Sequence, residues 1–143
     1  MTKTETLLRA IASDVYKCLG SGQTEAIYHC AMEVGLRLRK IKYESEKVVA
    51  VTYRHHCVGF GRADLVVGSG RETVVVELKE IAAVGKAEAQ QLRNYMKRLK
   101  VGHGLLVNFP SPGQKATEPE FRDVLPDEEV PDQSQDGPLS ATS

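Results

Sequence analysis

The run Thr73-Val74-Val75-Val76-Glu77-Leu78-Lys79 constrains this chain more than any other segment. It reads as a buried strand, being apolar, rich in β-branched residues and bounded by turn residues. Side chains alternate faces along a strand, so Glu77 and Lys79 share one face while Val76 and Leu78 share the other. A carboxylate and an ammonium at the end of a buried strand are costly unless they are paired or bind something. A second apolar run, Leu65-Val66-Val67, opens on Asp64. Two strands, each with a carboxylate near its polar end, can bring both to one point. Oxygen ligands of that kind suit a hard divalent cation, magnesium or manganese.

The rest of the pattern supplies partners for these strands. Leu7, Leu8, Ile11, Val15 and Leu19 recur at helical spacing, predicting a helix over about 4–19 that Gly20-Ser21-Gly22 stops. A second helix is expected from near Gln23 to about Lys40, with Ile27, Cys30, Ala31, Val34 and Leu38 as its apolar stripe. Strands follow at 48–53, 58–67 and 73–79. A helix over about 86–100 turns Leu92, Tyr95, Met96 and Leu99 inward, and a last strand covers 104–109. The order is α-α-β-β-β-α-β. It predicts an α/β fold with a four-stranded mixed sheet flanked by helices, the first three strands antiparallel and the last pair parallel.

Charge divides the chain. Residues 1–116 carry 18 Lys and Arg against 11 Asp and Glu; residues 117–143 carry only Arg122 against eight acids. A basic body fits a polyanionic partner, although a solvated mixed-charge surface gives the same balance. From Ser111 onward, Pro, acids, Gln and Ser dominate, and apolar content is too low to offset the entropy of ordering. Residues 1–110 are read as the folded domain and 111–143 as an acidic, Pro-rich, disordered tail. No apolar stretch is long enough to span a bilayer, and the first residues lack the apolar segment of a signal peptide. Cys18, Cys30 and Cys57 have no zinc-type spacing and read as reduced thiols of an intracellular protein, cytoplasmic or nuclear. His55-His56-Cys57 reads as a hairpin turn rather than a metal site.

Four elements in this order resemble the PD-(D/E)XK nuclease superfamily and, within it, the GxxExxY family. The naming motif is Gly22-Gln23-Thr24-Glu25-Ala26-Ile27-Tyr28, and the central set is Asp64 with Glu77-Leu78-Lys79. Gln91-Leu92-Arg93-Asn94-Tyr95 is similar to a QxxxY helix element, and Gly104 to Phe109 matches the closing strand. The chain departs from the family at Tyr16 and Glu88, where members often carry His.

The resemblance implies a restriction-endonuclease-like core and a magnesium- or manganese-dependent nuclease acting on DNA, in repair, recombination or defence. It implies Asp64 and Glu77 as metal ligands, with the Leu78 carbonyl, and Glu25 as a third carboxylate. Lys79 would orient a water or steady developing negative charge. Gln91 and Tyr95, four apart on one helix face, would hold Lys79, the water or a substrate phosphate. Arg62, Arg93, Lys97, Arg98 and Lys100 are candidate phosphate contacts, though a solvated face explains the last helix equally well. A homodimer gripping a duplex is compatible with so small a chain. Singly, each residue also has a structural explanation: Glu77 and Lys79 an ion pair, Asp64 a turn residue, Glu25 a first-turn helix acid, Tyr95 a core aromatic. The alternative reading is a catalytically silent nucleic-acid-binding or protein-interaction module.

Overall fold

The computed structural model describes residues 1–127. Helix α1 (Lys3–Leu19) starts at Thr2, whose side chain accepts from the Glu5 amide at 3.0 Å while the Glu5 carboxylate accepts from the Thr2 amide at 3.1 Å. Thr24 caps α2 (Glu25–Leu38) through a single bond, its side chain accepting from the Ile27 amide. Strands β1 (Tyr43–Tyr53), β2 (His56–Val67) and β3 (Val74–Lys79) form the expected antiparallel meander. Helix α3 (Lys86–Leu99) then crosses to β4 (Gly104–Asn108), which pairs parallel with β3.

The sheet is the middle of three layers. On one face, Leu8, Ile11 and Val15 of α1 and Tyr28, Met32 and Leu36 of α2 pack against Leu65, Val76, Leu78 and Val107. On the other, Ala89, Leu92 and Met96 of α3 cover Val75, Leu106 and Val49. Helix α3 comes close because β4 begins with Gly104. A Cβ there would lie 2.5 Å from the Met96 sulfur and 3.0 Å from Leu92.

Two expectations are corrected. The buried stripe of α2 is Tyr28, Met32 and Leu36, whereas Ile27, Val34 and Leu38 are exposed, as is Cys30. Both sets have helical spacing, so periodicity could not choose between them. Among the described residues the sheet also has five strands, not four. Strand β5 (Glu120–Val124) lies in the segment expected to be disordered, pairing antiparallel with β4 along the edge of the sheet. It is polar in composition, but Val124 is buried, Phe121 packs on the core and Arg9 holds it down. The Arg9 guanidinium meets Asp123 at 2.7 Å and lies 5.1 Å from the Phe121 ring centroid. The remainder of the expected tail, 128–143, lies outside the described residues.

Cutting the chain after residue 110 therefore exposes the β4 edge and removes two apolar contacts. A 1–110 fragment is expected to lose about 3 kcal/mol relative to 1–127, read in parallel thermal melts. Equal melting temperatures would mean that β5 adds nothing to the fold.

Candidate active site

The sheet positions Asp64 and Glu77 through an interruption of its own ladder. Backbone pairing between β2 and β3 runs from Val67↔Val74 to Leu65↔Val76. One step further, the carboxylates replace it. The Glu77 Oε1 accepts from the Asp64 amide at 3.0 Å, and the Asp64 Oδ2 accepts from the Leu78 amide at 2.7 Å. Each acid thus satisfies a backbone donor of the opposite strand and is held beside the other.

Electrostatics at this point are unbalanced. Glu77 is only 4% exposed. Burial, reinforced by the neighbouring charge of Asp64, pushes its carboxyl up to about 8. Burial also raises the Asp64 carboxyl. The Leu78 amide, His29 and Lys79 pull against that rise, and Glu25 adds to it. No ion pair joins Lys79 to either carboxylate among the described residues, so the structural ion pair is not formed. Lys79 ends β3 half-buried, opposite Asn108 of β4. Buried Asn108 fixes the chain just beyond it: its side chain accepts from the Ile81 amide at 2.9 Å and donates to the Ile81 carbonyl at 2.9 Å and to Glu120 at 3.1 Å.

The motif Gly22 to Tyr28 presents Glu25 from α2. Gly22 takes φ 92°, and Tyr28 is fully buried. Tyr28 stacks on Phe109 at 4.1 Å between centroids and donates to the Gly20 carbonyl at 2.6 Å, fixing the α1–α2 corner. Glu25, in the first turn, accepts from the Glu80 amide at 3.3 Å. It lines a cleft of about 360 Å³ with Asp64, Leu78, His29, Glu33, Ser45 and Glu46. His29 was not among the sequence candidates, yet it bonds Ser45 at 2.7 Å and contributes to the field at Asp64. Its place four residues after Glu25, on the same helix face, was the available signal. A larger cavity of about 730 Å³ is lined by Lys42, Lys47, Arg71, Lys100 and His103 and touches none of the carboxylate set.

The other candidates lie on α3, just after it, and on β2. Gln91 donates to the Tyr95 hydroxyl at 3.4 Å, and Tyr95 packs beneath β2, where a Cβ on Gly61 would come within 2.8 Å of its ring. No hydrogen bond joins either to Asp64, Glu77 or Lys79 among the described residues. Arg93 is engaged by the Leu125 carbonyl at 3.0 Å and Asp127 at 3.5 Å, on the β5 side. Arg98 reaches the Ala50 carbonyl of β1, the opposite edge of the sheet. Lys97 and Lys100 are exposed on α3 and just after it, and Arg62 on β2. The basic residues of α3 therefore do not form one stripe. At the two departures, Tyr16 donates to the Ala116 carbonyl and Glu88 accepts from the Gly85 amide at the start of α3.

The family model of the PD-(D/E)XK nuclease superfamily matches residues 2–121, from α1 into β5. The chain belongs to this superfamily. The matched span includes Asp64 and Glu77-Leu78-Lys79. Among solved structures, the crystal structure of SSO0001 is similar with a TM-score of 0.57 at 16% identity, covering 88% of this chain and 68% of that one. An alkaline exonuclease from Laribacter hongkongensis gives a TM-score of 0.46 at 11% identity, over 86% of this chain and 82% of that one. The first likeness shows the fold. No curated protein matches the chain. No helix among the described residues is long and apolar enough to cross a membrane.

The donor chemistry at the β2–β3 break fits a divalent cation. Two carboxyl groups are held side by side, each with one oxygen on a backbone amide, and no ion pair reaches either among the described residues. No cluster of three His, Cys, Asp or Glu side chains is gathered for a metal among the described residues.

Proposed function

We propose that the protein is a divalent-metal-dependent nuclease that hydrolyses phosphodiester bonds in DNA, of the GxxExxY branch of its superfamily. The observation that carries this reading is the reciprocal pair of carboxylate–amide bonds at the β2–β3 break, which holds a buried and a half-buried carboxyl side by side with no ion pair to either among the described residues. Asp64, Glu77 and the Leu78 carbonyl would hold magnesium or manganese, with Glu25 acting through water from the cleft wall. The cation supplies positive charge that polarises the scissile phosphate and acidifies water. Lys79, fixed at the strand end beside the carboxylates, steadies the negative charge that develops on phosphoryl oxygens. Gln91 and Tyr95 position substrate from the α3 face, and Arg62 contacts phosphate.

Labelled DNA incubated with manganese or magnesium tests this directly. Wild type is expected to cleave, and Asp64→Asn to lose cleavage while keeping its melting temperature within a few degrees. Wild-type rates from a folded Asp64→Asn protein would refute the assignment. The alternative is a catalytically silent nucleic-acid-binding module on the same fold. That alternative requires salt-sensitive nucleic-acid binding with no cleavage by the wild type.

A further inference from the structure

The β1–β2 hairpin extends beyond the helices that cover its base. Tyr43, Leu65 and Val67 pack on the α1–α2 side, whereas Val49 and Ala63 pack on α3. The strands therefore exchange faces at Glu46, which takes φ 50°, and Asp64. Past this exchange, Val48 and Arg62 are paired across the strands, and Phe60 lies two residues from Arg62, so all three alternate away from α3. Among the described residues that face is open: Phe60 is 71% exposed and Val48 51%.

The arm is basic as well as apolar. From Lys47 to Ala63 it carries Lys47, Arg54, Arg62 and two histidines, with no Asp or Glu. Its two-residue tip, Arg54-His55, takes φ 47° and 68°, a left-handed turn where Asn or Gly is usual. The tip thus holds basic side chains where less strained residues would serve the turn alone. A cationic surface selects a polyanion, and an exposed ring beside an arginine suits one whose bases are unpaired and free to stack.

We propose that this arm is a platform for single-stranded nucleic acid, with Phe60 stacking on an unpaired base and Arg62 holding the adjacent phosphate. Phe60 is about 13 Å along β2 from Asp64, with Arg62 between them. A strand lying on the arm is therefore led toward the carboxylates. Only this last step rests on the nuclease reading; binding by the arm does not. In a duplex the bases are already stacked and paired, so the ring has nothing to gain there.

Fluorescence anisotropy of full-length protein in EDTA, with labelled oligodeoxythymidylate and a blunt duplex, tests the platform. Phe60→Ala is expected to weaken single-strand binding about tenfold and to change duplex binding by less than about twofold. Phe60→Trp restores the single strand. Both variants should melt like wild type, because the ring is exposed. Equal losses on the two probes, or no loss on either, overturn the proposal. So does a Phe60→Ala protein whose only change is dissociation of a homodimer in sedimentation. The Asp64→Asn/Glu77→Gln protein separates the two readings. If it still cleaves while the Phe60 effect holds, the reaction centre is wrong and the platform stands; loss of cleavage without a Phe60 effect gives the reverse.

Discussion

Lys79→Ala is expected to lower the single-turnover rate of DNA cleavage by about 10²–10³-fold, the usual cost of removing one preorganised stabiliser of transition-state charge. The fold should tolerate the change, since Lys79 is half-buried at a strand end and makes no ion pair among the described residues. Its place comes from the β3–β4 register, which sets it opposite Asn108, and from the Asn108 bonds that fix the chain at Ile81. Lys79→Arg should not restore the rate, because a longer planar fork cannot put its charge where the compact ammonium sat. Metal affinity should change little, as the carboxylates remain. An undiminished rate in Lys79→Ala would make the lysine structural and remove it from the reaction.

Glu77→Gln is expected to stabilise the metal-free protein at alkaline pH. The Glu77 carboxyl titrates near 4.5 when unfolded and about 8 in the fold. Between those values the folded protein holds a proton that the unfolded chain has released. Its contribution is therefore fully present below about pH 4.5 and is lost as pH rises through 8, by on the order of 4 kcal/mol. Glutamine is neutral throughout and can still accept from the Asp64 amide. Thermal melts in EDTA should coincide for the two proteins at pH 5 and separate by roughly 10 °C at pH 9, with the variant higher. A cation competes for the same charge, so manganese affinity of the wild type should strengthen as pH rises toward 8. Parallel melting curves at both pH values would show that Glu77 is not strained by burial.

Both residues are legible in the sequence because a strand makes its charged positions conspicuous. Glu77 and Lys79 stand out in a run of valines, and strand alternation alone puts them on one face. Three features were less legible. Strand β5 is polar by composition, and its order depends on Arg9, more than a hundred residues away in sequence. The buried face of α2 competes with a second apolar stripe of the same period. The third is the exchange of faces at Glu46 and Asp64, which breaks the alternation that sequence reading assumes. It is what allows Asp64 to line the α2 cleft while its oxygen caps the Leu78 amide. His29 lies outside the quoted motifs and follows only from helix geometry, whereas Asn108 lies in the closing strand but shows its role only through the parallel pairing of β4.

The central claim is that Asp64 and Glu77 hold a divalent cation on which cleavage depends. Calorimetric titration of manganese into wild type and into Asp64→Ala/Glu77→Ala, with single- and double-stranded DNA incubated in parallel, tests it most directly. The expected result is a saturable heat and cleavage in wild type, both lost in a double variant that remains folded. Cleavage or manganese binding that survives in that variant would contradict it.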